Sequence, residues 1–322
     1  GRGKWTDNGA SGQKTLPLFP RMHLLPNNNV YYTASGQAFN PMGQSYDEAM
    51  WNFASAYDPA TNTWTDVGIP GAPSADAVPA VPGVPSGVAL PALPGFRGST
   101  TSILLPLVPD ANGSYSRAEI MTMGGTILPT PGSYFPVADT RVDTLDLNGG
   151  INLSSRSVGA LNVARWFGQA ILLPTGQVMI FSGADADEVA FPGLEAAITV
   201  PELYDPATET WTPMAEQGKQ RTYHNSALLM PDGRVMVGGH SPINTTHAIF
   251  YEIPTRSPPG RDATFEIFSP PYMFGNRPSI QSAPSTAAPG EIITVSTPDA
   301  AAVANGGYAV LVRRSAVTHL VD

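Results

Sequence analysis

The chain contains no cysteine in 322 residues. That excludes disulfides, cysteine zinc sites and thiol nucleophiles, without fixing the compartment. Charge is scarce as well: only 13% of the residues are Asp, Glu, Lys or Arg, and 17 basic residues face 26 acidic ones for a net charge of -9. Nucleic acid, whose phosphates demand a basic patch, is excluded as a partner. No apolar run approaches the length of a membrane span, and no long stretch repeats at helical spacing. Gly1-Arg2-Gly3-Lys4-Trp5 is no signal peptide and has no initiator Met, and Thr318 to Asp322 stops on a strand-like stretch, so both ends are expected to be cut.

What the chain has in excess is turn formers, with 32 Gly and 33 Pro. That profile suits many short strands. One unit recurs: Tyr57-Asp58-Pro59-Ala60-Thr61 leads to Thr63-Trp64-Thr65, and Tyr204-Asp205-Pro206-Ala207-Thr208 leads to Thr210-Trp211-Thr212. The copies lie 147 residues apart, close to three periods of the roughly fifty residues of kelch blades. Each reads as strand, Asp-Pro turn, strand. A second unit, an apolar strand ending in Pro and followed by a turn and another strand, begins at Leu24-Leu25-Pro26, Leu104-Leu105-Pro106, Leu172-Leu173-Pro174 and Leu229-Met230-Pro231. Asp232-Gly233 after the last copy suits a tight hairpin, and Gly124-Gly125 and Gly238-Gly239 mark strand ends where backbones crowd.

The expected fold is therefore all-β. Four blades of a kelch-type β-propeller start near Pro20, Ser99, Ala164 and Arg221 and occupy residues 1–269. The Ala/Pro/Gly/Val-rich stretch from Ile69 to Gly95 reads as a long surface insertion. Residues 270–322, with alternation at Ile292 to Val295 and Tyr308 to Val312, read as a partial immunoglobulin-like β-sandwich.

Particular segments carry a family likeness. Arg221-Thr222-Tyr223-His224-Asn225-Ser226-Ala227-Leu228-Leu229 with Pro231-Asp232-Gly233-Arg234-Val235 resembles the Tyr-His blade of the copper radical oxidases, the galactose oxidase and glyoxal oxidase group. Phe265 to Pro271 with Arg277-Pro278 resembles that family's entry into its third domain. Val312-Arg313-Arg314 to Thr318-His319 is similar to the third-domain hairpin that carries its last copper-binding His. Ala164-Arg165-Trp166-Phe167 and Leu172 to Gly183 resemble the penultimate blade. The resemblance implies one copper ion, with Tyr223 as axial and catalytic Tyr, and His224 and His319 as the two imidazole ligands. These residue types suit Cu(II) in tetragonal N,O geometry. Neighbours in a regular strand point to opposite faces. Tyr223 and His224 can therefore share a metal only at a strand end or bulge, where the Arg221-Thr222 start puts them. The resemblance also implies substrate-side roles for Phe191, for Arg21 ahead of a blade strand, and for Tyr134, with Phe135, after Gly124-Gly125. His23, His240 and His247 match no ligand position, and Asp185 and Asp187 read as a solvated acidic loop rather than a calcium site.

The family oxidises an alcohol or aldehyde with O2 to give H2O2, using copper and a tyrosyl radical whose Tyr is cross-linked to a Cys. With no Cys present, that cross-link cannot form within this chain. Two expectations follow. In one, the radical Tyr, its Cys and the remaining three of seven blades come from upstream sequence or a partner chain, and the protein is an extracellular oxidase of a sugar, small alcohol or aldehyde. In the other, the protein is a non-catalytic extracellular propeller that binds carbohydrate or serves the cell surface structurally.

Overall fold

The computed structural model describes residues 3–37, 53–71, 96–127, 135–188, 193–242, 256, 260–275, 277–288, 290–299 and 309–312. Four antiparallel sheets follow one another along the chain, one from each repeat. The first is built of Met22–Leu24, Val30–Tyr32, Ala54–Asp58 and Thr63–Gly68. The second takes Thr101–Leu104, Arg117–Met123, Thr140–Asp146 and Asn152–Val158. The third takes Gln169–Leu172, Val178–Phe181, Glu202–Asp205 and Thr210–Pro213. The fourth has three strands among the described residues, Ser226–Leu229, Val235–Gly238 and Phe265–Phe268.

Local chemistry explains the outer hairpins. Asp58 Oδ1 accepts the Ala60 amide at 2.8 Å, and Asp205 Oδ1 accepts the Ala207 amide at 2.9 Å. Both are Asx turns. Asn62 and Glu209 then adopt left-handed φ of 57° and 54° to reverse the chain. The two copies repeat in their side chains too. The Tyr57 and Trp64 rings lie 5.3 Å apart, and those of Tyr204 and Trp211 5.2 Å.

Successive sheets bury their faces against each other. Ile103, Met121, Met123 and Val142 of the second sheet meet Val178, Ile180, Tyr204 and Trp211 of the third. Met179, Phe181 and Ile171 on the third sheet's other face meet Ala227, Leu229, Val235 and Val237 of the fourth. Tyr31, Tyr32 and Ala54 of the first sheet meet Ala118, Ile120 and Leu145 of the second. Val178-Met179-Ile180-Phe181 is uninterruptedly apolar because both faces of its sheet are covered.

The entrance to each sheet repeats as well. A non-glycine residue with left-handed φ precedes each first strand: Phe19 (48°), Ser99 (47°), Phe167 (56°) and His224 (49°). Ahead of three of them stands a buried arginine tied to a carboxylate: Arg97 to Asp139 at 2.5 Å, Arg165 to Glu202 at 2.6 Å and Arg221 to Glu266 at 3.3 Å. A small further sheet, unforeseen in the sequence, gathers Ser35–Gly36, Arg97–Gly98, Thr126–Ile127 and Phe135–Pro136 at this end. Gly36 belongs to it because a Cβ there would stand 2.5 Å from Pro17 Cγ and 2.9 Å from the Leu18 carbonyl.

The sequence predicts strands at Ile292 to Val295 and Tyr308 to Val312. Among the described residues no strand forms at 292–295 or 309–312. Ile292 is 94% exposed, and the pairing seen here among them is the Ser282–Ser296 bridge. Alternation alone, with no facing sheet, does not make a strand. Residues 72–95, the greater part of the expected insertion, lie outside the described residues.

Denaturant unfolding tests the packing and the ion pairs. Ile180→Ala, at a fully buried site, is expected to cost about 2–5 kcal/mol. Ile267→Ala, on the open far face of the fourth sheet, should cost no more than about 1 kcal/mol. Glu202→Ala, which strands the buried Arg165, should cost about 3–5 kcal/mol. Glu209→Ala, from an exposed pair with Arg156, should cost about 1 kcal/mol or less.

Candidate functional site

The entrance to the fourth sheet differs from its relatives by one residue. Arg97 and Arg165 stand nine residues before the Pro after their first strands, whereas Arg221 stands ten before Pro231. In the third sheet the left-handed residue is Phe167, two after the arginine. In the fourth it is His224, three after, with Tyr223 just ahead of it. Because His224 leaves extended geometry at φ 49°, the two side chains are not thrown to opposite faces. Their ring centroids lie 3.8 Å apart.

Tyr223 is buried between the two aromatics of the neighbouring entrance. Trp166 stacks on it at 5.3 Å and 26°, and Phe167 meets it edge-on at 4.6 Å. Its hydroxyl accepts a hydrogen bond from the Gln37 side-chain amide at 3.2 Å, across 186 residues of sequence. Burial raises the phenol above its usual pKa. The Gln37 bond opposes the rise, and the nearby carboxylates of Glu188 and Asp187 add to it. The phenol is thus held neutral.

His224 is exposed and aimed by its own backbone. Its Nδ1 lies 3.1 Å from the Ser241 carbonyl, which can only accept, so Nδ1 carries the proton. Gly239 makes the approach possible: a Cβ there would stand 2.6 Å from the His224 carbonyl, and its φ is 76°. His240 is structural, since its Nδ1 accepts the Thr222 amide at 3.2 Å just ahead of Tyr223. The Tyr223 and His224 rings, neighbours in sequence, are also neighbours in space, and a phenol and an imidazole are residue types that suit Cu(II) in N,O geometry. Among the described residues no three His, Asp or Glu side chains gather at one point.

The structure brings Tyr223 and His224 together. Arg21 is 3% exposed, and its Nε donates to the Thr100 carbonyl at 2.9 Å. His319, Phe191 and Tyr134 lie outside the described residues. Asp185 is ion-paired with Arg256 at 2.9 Å. Reading single residues misses Gln37, Trp166 and the Ser241 carbonyl. The one signal of the local arrangement is the extra residue between Arg221 and Pro231.

The fold and site define an all-β protein of serial antiparallel sheets with a Tyr–His pair set at one sheet's entrance. The chain belongs to the family described as glyoxal oxidase N-terminus, whose model matches residues 85–272, more than half of it. It is similar to an aldehyde oxidase GLOX of Vitis pseudoreticulata, 27% identical over 280 residues, which cover 82% of this chain and 42% of that one. It is also similar to a galactose oxidase of Gibberella zeae, 24% identical over 213 residues, covering 64% of this chain and 28% of that one. The chain thus spans less than half the length of either relative. A fungal alcohol oxidase of the AA5 family, solved in complex with copper, superposes with a TM-score of 0.49 at 19% identity, covering 87% of this chain and 60% of that one.

The left-handed position sets its own test. His224→Gly should keep the thermal midpoint near that of the wild type, since Gly adopts this φ freely. His224→Val, which a β-branched side chain disfavours here, should destabilise by about 1–3 kcal/mol. Equal midpoints for the two variants would contradict this geometry.

Proposed function

We propose that this chain is part of a copper-dependent oxidase that takes two electrons and two protons from a small alcohol, aldehyde or sugar and delivers them to O2 as H2O2. The observation that carries the reading is the pairing of Tyr223 with His224 at 3.8 Å, produced by one extra residue at a sheet entrance. Tyr223 Oη and His224 Nε2 would be two ligands of the metal, with His319 as a third. Bound copper would supply one redox equivalent, and the second belongs to a Tyr–Cys radical carried outside this chain. Tyr223 Oη, held by the Gln37 amide, is the atom at which a substrate hydroxyl proton would be received. Trp166 and Phe167 keep water from its ring.

Support for His319 comes from reach. Ala309 to Val312 border a cleft of about 880 Å³ with Leu24, Leu104-Leu105-Pro106 and Leu172-Leu173-Pro174. Those residues mark the ends of the first strands away from the entrances. Seven further residues lead to His319, up to roughly 23 Å of extended chain. The run from Trp166 to Pro174, which holds the first strand of the third sheet, is of similar length.

The serial face-to-face sheets support a propeller of seven blades, four of them here, followed by an immunoglobulin-like domain. Phe265, 63% exposed with Ile267 on the same face, leaves the fourth sheet open for a blade from outside this chain. No helix among the described residues is long and apolar enough to cross a membrane, and the reading places the protein outside the cell. The absence of Cys favours one second reading, a propeller that binds carbohydrate without chemistry.

The test is peroxide-coupled turnover of the full-length protein after copper loading, against a panel of alcohols, aldehydes and sugars. Copper-dependent peroxide that Tyr223→Phe and His224→Ala abolish is the expected result. Failure of the wild type to hold copper would overturn the oxidase. Sugar binding by calorimetry without peroxide would establish the second reading in its place.

A further inference from the structure

We propose that Gln37 is a positioning residue for Tyr223, a role that rests on the copper reading above. Gln37 comes from the far end of the described chain and is 2% exposed. Its Nε2 donates to Tyr223 Oη at 3.2 Å. Its Oε1 lies 3.5 Å from the same oxygen, at the limit of a hydrogen bond, so the donor contact dominates.

The backbone of Gln37 is fixed on both sides. Its amide donates to the Leu18 carbonyl at 2.6 Å, and the preceding Gly36 carbonyl accepts the Ser99 amide at 2.7 Å. The side chain is therefore delivered from the first sheet, held by the entrance of the second, to a ring that belongs to the fourth. Trp166 and Phe167 fix the plane of that ring, but stacking leaves it free to slide and turn within its plane. The hydroxyl contact removes that freedom. Its chemistry also has a direction. An amide N–H on the phenol oxygen stabilises the oxygen as it gains negative charge. A carboxylate in the same place would do the opposite. Gln37 thus fixes where Oη sits in the plane of the ring.

The test has two measurements on the intact chain. A thermal double-mutant cycle of Gln37→Leu and Tyr223→Phe, without metal, should show midpoint losses that do not add, because either change alone removes the same contact. Cu(II) titration, followed by the visible phenolate-to-copper absorption band, should show Gln37→Glu weakening copper by about 10- to 100-fold, the range for outer-shell partners of metal ligands. The band should weaken or shift, with a smaller effect in Gln37→Leu. His23→Ala, remote from Tyr223 and bonded to Ser102, should leave the band in place even if it lowers the midpoint. Additive midpoint losses would overturn the contact. Non-additive losses with unchanged copper affinity and band in Gln37→Glu would reduce Gln37 to a structural residue and overturn the proposal. A wild type that shows the coupling but binds no Cu(II) would sink the copper reading and this role with it, while leaving the hydrogen bond established.

Discussion

A buried guanidinium cannot stand without a carboxylate, and this constraint organises the working end of the molecule. Arg97, Arg165 and Arg221 each sit at a sheet entrance, fully or almost fully shielded from water. Each ties the chain before the first strand to an acid: Asp139, Glu202 and Glu266. Burial lowers the Arg97 and Arg165 guanidinium pKa, and the partnered carboxylates raise it again. Each arginine also spends donors on main-chain carbonyls. Arg165 reaches Ser182, and Arg221 reaches Gly239 and Thr264. The loop between arginine and first strand is thereby clamped at both ends. An added residue in such a loop cannot slip along the strand, so it changes where side chains point. That is how Tyr223 and His224 come to face one another.

The sequence is most legible where structure is local. The Asp-Pro hairpins follow from side chains that bond their own backbone two residues on, so the repeated Tyr-Asp-Pro-Ala-Thr units could be read directly and proved to be replicas. The unbroken apolar run Val178 to Phe181 likewise declares a strand covered on both faces. The Tyr–His pair was legible as a motif, and the need for a strand end or bulge followed from the alternation of strands. Contacts made across the molecule were not legible. Nothing in Ser35-Gly36-Gln37 points to a phenol 186 residues away. Nor does the Trp166-Phe167 dipeptide declare that both rings pack on one tyrosine of the next sheet. The alternation at Ile292 to Val295 is not matched by a strand among the described residues, since a strand pattern needs a facing surface and Ile292 is exposed here.

The surroundings of Tyr223 combine opposing influences on one oxygen. Burial and the Glu188 and Asp187 carboxylates keep the phenol protonated, and the Gln37 amide pulls the other way. For the phenol alone, the two groups of forces are in conflict.

The left-handed backbone at His224 needs separate weighing, because strained residues are often read as marks of function. Phe19, Ser99 and Phe167 share the same conformation at the same point of their sheets, with φ between 47° and 56°. The strain is therefore a property of the entrance that each repeat pays in turn, and it would be present with no site at all. What separates the fourth entrance is the residue that occupies this position and the one inserted before it. Phe167 uses the same geometry to bury a ring, whereas His224 uses it to expose one with its Nδ1 anchored on Ser241. The fold supplies the bend four times, and in the fourth the sequence places on it an exposed imidazole beside a buried phenol.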